Sequence, residues 1–86
     1  MKLIRSQDKL MVINAAQIFH IDIEDAVDED GDDTGEVDID VHFDSLEDSW
    51  MQTIATYPTT DEAIRNLDRL VDFLGSSTAF GVYQMP

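Results

Sequence analysis

The chain's two histidines, His20 and His42, bound the stretch HIDIEDAVDEDGDDTGEVDIDVH, which holds eleven Asp or Glu and no Lys or Arg. With cysteine absent, a metal could be held only by imidazole and carboxylate, and zinc takes both in four-coordinate sites. If the stretch folds back about Gly31, His20 faces His42, Asp22 faces Asp40 and Glu24 faces Asp38, all six on one side of a two-stranded ribbon. Directly opposed side chains have Cβ atoms ~5 Å apart, close enough for two imidazoles and one or two carboxylates to close on one ion. The expected zinc ligands are therefore His20, Asp22, Asp40 and His42. A slip of one residue would put the imidazoles on opposite faces, and the simpler alternative is a hydrated polar surface without any ion.

Asp28, Asp30 and Asp32 imitate the first three ligand positions of a calcium-binding loop. That loop needs glycine at its sixth position and glutamate at its twelfth, where this chain has Asp33 and Ile39. A solvated turn with weak attraction for calcium or magnesium is the expectation there. No nucleophile-elbow serine, glycine-rich phosphate loop or reactive thiol is present, and a small sheet with one helix offers little concave pocket, so the chain reads as no enzyme.

The elements that position these side chains follow from periodicity. LIRSQDKLMVIN reads as two short strands joined by a turn at Ser6-Gln7-Asp8-Lys9. In QIFHIDIEDAV, Phe19, Ile21 and Ile23 alternate with His20, Asp22 and Glu24. In EVDIDVHFD, Val37, Ile39, Val41 and Phe43 alternate with Asp38, Asp40, His42 and Asp44; both are strands with one buried and one acidic face. DEDGDDTG between them suits a mobile connection, a further turn is expected at Ser45-Leu46-Glu47-Asp48-Ser49, and WMQTIATY is a strand stopped by Pro58.

Thr59 followed by Glu62 fits a helix capping box, and Ile64, Leu67, Leu70, Val71 and Leu74 recur at helical spacing before a glycine stop at Gly75, predicting a helix over about 60–74. AFGVYQMP can close with a short strand through Phe80, Val82 and Tyr83, while Met85 and Pro86 look too short to matter. Trp50, Met51, Tyr57, Phe73 and Phe80 read as core or edge-of-core residues, some available for contact. The expected architecture is one α+β domain over residues 1–86: an antiparallel sheet of four to five strands with one helix packed on one face.

Nineteen acids against five bases give a formal charge of −14, and residues 10 to 64 hold sixteen of the acids and none of the bases. Such a surface repels nucleic acid and anionic lipid and attracts cations or basic proteins. No apolar run is long enough for a membrane span or a secretory signal, which points to the cytoplasm. Opposed carboxylates destabilise a hairpin unless something positive reaches them. The expected contact surface is Glu24, Asp28, Glu29, Asp30, Asp32, Asp33 and Asp38.

LIRSQDK, MVIN, YPTTDEAIRNLDRLV and VYQMP resemble a family of small, mostly uncharacterised proteins of Gram-positive bacteria and their phages. The resemblance covers the two ends and the helix, and the acidic middle lies outside it. In size, charge and clustered acidity the chain is also similar to the phage anti-CRISPR proteins, a likeness of kind that assigns no residue. It implies an inhibitor in the host cytoplasm that covers a basic surface of a type II CRISPR effector nuclease, or another nucleic-acid-binding protein, and blocks DNA binding or loading; the zinc ion expected from the cross-strand spacing would stiffen its face. The alternative is a metal-binding or structural accessory protein without a nuclease partner.

Overall fold

The computed structural model describes residues 1–44, 49–77 and 80–86. Its elements are β1 (Lys2–Arg5), β2 (Val12–Asn14), β3 (Ile18–Val27), β4 (Asp33–Asp44), β5 (Ser49–Tyr57), α1 (Thr60–Leu74) and β6 (Gly81–Gln84). The fold is α+β, but the strands form two three-stranded sheets and not a single larger one. One has the order β2-β1-β6, with β1 and β2 antiparallel and β1 and β6 parallel; the other is the antiparallel meander β3-β4-β5.

The split has a local cause. A single 3-10 turn at Ala15–Gln17, capped by Asn14 Oδ1 accepting from Ala16 N at 3.0 Å, turns the chain out of the first sheet before β3 begins. The free edge of β1 is then taken by β6 returning from α1.

β4 is the central strand of the second sheet. Its Val37, Ile39, Val41 and Phe43 are buried as the alternation requires, and they meet Ala63 and Leu70 of α1 and Ile54 and Tyr57 of β5 in one core. On β3 the expected inward row is corrected at one end. Ile18 pairs with Phe43 and His20 with His42, so Phe19 is the extra residue of a β-bulge and is 68 % exposed, while Ile18, Ile21 and Ile23 pack inward.

α1 begins as its sequence announces, with Thr59 Oγ1 accepting from Glu62 N at 3.2 Å. Its inward stripe is buried Ala63 and Leu70 with half-buried Leu67, Phe73 and Leu74, whereas Ile64 and Val71, expected inside, are exposed on its flank. The sheet is covered by a face rotated toward Ala63, whose small side chain lets the helix lie close. Gly75 ends the helix with φ −85, in the right-handed region, so its left-handed freedom is unused.

Gly75 N donates to Val71 O at 2.9 Å and Ser76 Oγ to Phe73 O at 2.8 Å, and Lys2 completes the cap. Its ammonium donates to the main-chain oxygens of Phe73 at 3.0 Å, Leu74 at 2.8 Å and Ser76 at 2.7 Å, placing a positive charge where the helix dipole is negative. Lys2→Met should lower stability by about 1–2 kcal/mol. A thermal melt would show it as a drop of several degrees, and an unchanged melting temperature would mean that water caps the helix equally well.

Two further expectations change. The connection after β3 is a tight turn over Asp28–Asp32, with Asp28 N donating to Asp32 O at 2.9 Å and Gly31 at φ 83, a conformation glycine adopts without strain; β4 resumes at Asp33. Met85, thought dispensable, is only 1 % exposed and belongs to the core. The turn expected at residues 45–49 lies, over Ser45 to Asp48, outside the described residues. Among the large side chains expected in or at the edge of the core, Tyr57 is buried and Phe73 half-buried against Tyr83, whereas Trp50, Met51 and Phe80 are exposed.

Candidate functional site: an acidic sheet face with paired imidazoles

Alternation sends Asp38, Asp40 and His42 of β4 to the side of the sheet facing away from α1. The β3 register brings their partners level with them: His20 opposite His42, Asp22 opposite Asp40, Glu24 opposite Asp38. All three pairs expected from the sequence are present.

β5 completes the face through an irregularity that the sequence does not display. Ala55 pairs with Ile39 and Thr53 with Asp40, leaving Ile54 as an extra residue. Because of that residue, Thr53 and Thr56, an odd number of positions apart, both reach the acidic side. Thr53 Oγ1 donates to Asp40 Oδ1 at 2.7 Å, and Thr56 Oγ1 donates to Asp38 Oδ1 at 2.6 Å. Hydroxyls therefore supply to β4 the donors that no lysine or arginine provides.

Asp40, in the middle of the central strand, is 2 % exposed. Burial is the main cause that pushes its carboxyl above the usual carboxylate range; the Thr53 hydrogen bond opposes the shift, the Asp38 and Asp22 charges add to it, and His42 opposes it. A neutral amide of the same shape can still accept from Thr53 while shedding the repulsion. Asp40→Asn should consequently stabilise the protein at neutral pH by about 1 kcal/mol, raising the melting temperature by a few degrees. A lower melting temperature would mean that the Asp40 charge is compensated within this face.

The imidazoles lie at one end of the face. Their rings stack with centroids 4.0 Å apart and 19° between planes, and His42 Nε2 stands 3.0 Å from Asp22 Oδ1 while His20 Nε2 stands 3.5 Å from Asp22 Oδ2. Of the four ligands expected from the sequence, His20, Asp22 and His42 thus converge, and Asp40 is turned to Thr53. Phe19 meets the outer ring edge-on at 5.5 Å.

Comparison with protein-family models, with curated proteins and with solved structures finds no match.

The rest of the acidic surface lies at the hairpin tip. Asp28 Oδ1 accepts from Asp30 N at 2.9 Å and Asp32 N at 3.0 Å, and Asp33 Oδ1 accepts from Gly35 N at 2.8 Å. Asp28 and Asp33 are thus builders of the turn, whereas Asp30 and Asp32 give it their N–H groups. Glu24, Glu29, Asp30 and Asp32 are exposed. Asp28, Asp30 and Asp32 also bring carboxylate oxygens within 4.8 Å of one another, an arrangement common to exposed acidic turns. Among the described residues no helix is long and apolar enough to cross a membrane.

Proposed function

We propose that the protein is a non-enzymatic inhibitor that lays its β3–β4 face and hairpin tip on a basic surface of a nucleic-acid-handling protein and so blocks DNA binding or loading. The observation that carries this reading is the ordered alignment of Asp22, Glu24 and Asp38 on one face, continuous with Glu29, Asp30 and Asp32 at the tip, within a stretch devoid of Lys and Arg. A paired ribbon holds such side chains in fixed positions at little further entropy cost, which favours fast, steered association with a cationic channel. A type II CRISPR effector nuclease is the partner class indicated by the chain's likeness to the anti-CRISPR proteins, because such nucleases hold their duplex in a positively charged channel.

The decisive experiment is capture of a purified effector–guide complex at low and high salt, with target DNA as competitor. Binding at low salt that DNA displaces supports the proposal. Failure to capture the complex at low salt removes this partner class.

A further inference from the structure

We propose that His20 Nε2, His42 Nε2 and the Asp22 carboxylate hold one zinc ion, with a fourth coordination position open to solvent. The argument is independent of any protein partner and rests on the shape of the imidazole end of the face. Zinc binds imidazole nitrogen and carboxylate oxygen at about 2.0–2.1 Å, so the ligand atoms of a tetrahedral site stand roughly 3.3 Å apart. Asp22 Oδ1 lies 3.0 Å from His42 Nε2 and Asp22 Oδ2 lies 3.5 Å from His20 Nε2, and one ligand atom from each of the three residues lies within 4.8 Å of the other two.

The backbone enforces this grouping. His20 and His42 are directly paired across the ribbon, and Asp22, two residues along β3, is the diagonal neighbour of His42 on the same face. Both rings turn Nε2 toward the same carboxylate; stacked with centroids 4.0 Å apart, they need only tilt about χ2 for the two in-plane lone pairs to meet on one ion. Asp40 is removed from competition by its bond to Thr53, which leaves a defined set of three donors. The side chains are between a quarter and a half exposed, so the ion can enter from solvent and keep an exchangeable water.

Imidazole selects zinc over the hard cations that an all-carboxylate turn attracts. Two neutral imidazoles and one carboxylate also leave the bound ion with net positive charge, set among Asp40, Glu24 and Asp38. An ion here would tie β3 to β4 at the end of the hairpin remote from its turn.

The test is a titration of metal-stripped protein, purified without a polyhistidine tag, with zinc chloride against a chromophoric chelator of known affinity. One equivalent should bind with Kd of about 1 μM or tighter. His20→Ala and His42→Ala should each weaken binding by at least about tenfold, while Asp40→Asn and the pair Asp30→Asn/Asp32→Asn should leave it within about twofold. His20 is exposed, so its variant remains informative even where His42→Ala unfolds. Cobalt substituted for zinc should give the visible absorption of a four-coordinate site, lost in His20→Ala. The proposal is overturned by an absence of stoichiometric binding, by unchanged affinity in His20→Ala, by loss of binding in the Asp30/Asp32 variant, or by displacement of the ion with millimolar calcium. Because the isolated protein is used, either result leaves the partner-binding proposal to its own test.

Discussion

Met85→Ala should destabilise the protein by about 3 kcal/mol, a large share of what a domain of this size possesses. In an 86-residue chain that corresponds to a fall in melting temperature of more than about 10 °C. The reason is the position of this side chain at the junction of the two sheets. Met85 N donates to Arg5 O at 3.0 Å, continuing the β1–β6 ladder, and the side chain enters the shared core. Beside it the main-chain oxygen of Pro86 accepts from Tyr57 Oη and from Gln7 Nε2, each at 2.9 Å. Gln7 then reaches β5, its N donating to Ile54 O at 2.7 Å and its Oε1 accepting from Thr56 N at 2.9 Å. Truncation would leave a cavity beneath this polar clasp, whereas Met85→Leu, close in volume, should cost less than about 1.5 kcal/mol. Chemical denaturation of the two variants decides the matter: equal midpoints would mean that the site collapses around alanine and that the tail is held by hydrogen bonds alone.

The second large effect concerns recognition. Converting Glu24, Glu29, Asp30 and Asp32 to lysine should reduce affinity for a basic nucleic-acid-binding partner by at least about a hundredfold, most of it through slower association. These positions are exposed, and the turn is built by the carboxylates of Asp28 and Asp33, which stay in place. The variant should therefore keep its fold, as circular dichroism can verify. Binding by the unaltered protein should weaken as ionic strength rises, because the screening length shrinks from about 10 Å at 0.1 M salt to about 3 Å at 1 M. Undiminished capture by the lysine variant, measured by surface-based kinetics at low salt, would place the interface elsewhere on the molecule.

The pairing of β3 with β4 was legible in the sequence because two features agree on it: the alternation of Ile21 and Ile23 against Ile39 and Val41, and a glycine at the turn. Together they favoured His20 opposite His42, the register the strands adopt. The start of the helix was legible for a similar reason, since a cap acts over three or four residues. What escaped is governed by distant partners. Phe19 and Ile54 are extra residues in their strands, and a bulge depends on how the neighbouring strand must bend, which the bulged segment does not encode. Thr53 and Thr56 could not be recognised as donors to Asp40 and Asp38 without that bulge. Lys2 caps a helix more than seventy residues away in the chain, and Met85 is buried by strands drawn from both ends of the sequence. The division into two sheets follows from the short 3-10 turn after Asn14, whose composition alone does not mark it as a departure point.

The extra residue at Ile54 fixes the parity of β5. Were it to pair as an ordinary ladder residue, strict alternation with the Tyr57 end anchored would invert every side chain on the Trp50 side. Met51 and Thr53 would swing toward the oily interior, and Trp50 and Gln52 would swing out beside the carboxylates. The bulge thus separates a wettable, hydroxyl-lined anionic plane from a greasy one, so its place in this strand is as constrained as residue identity.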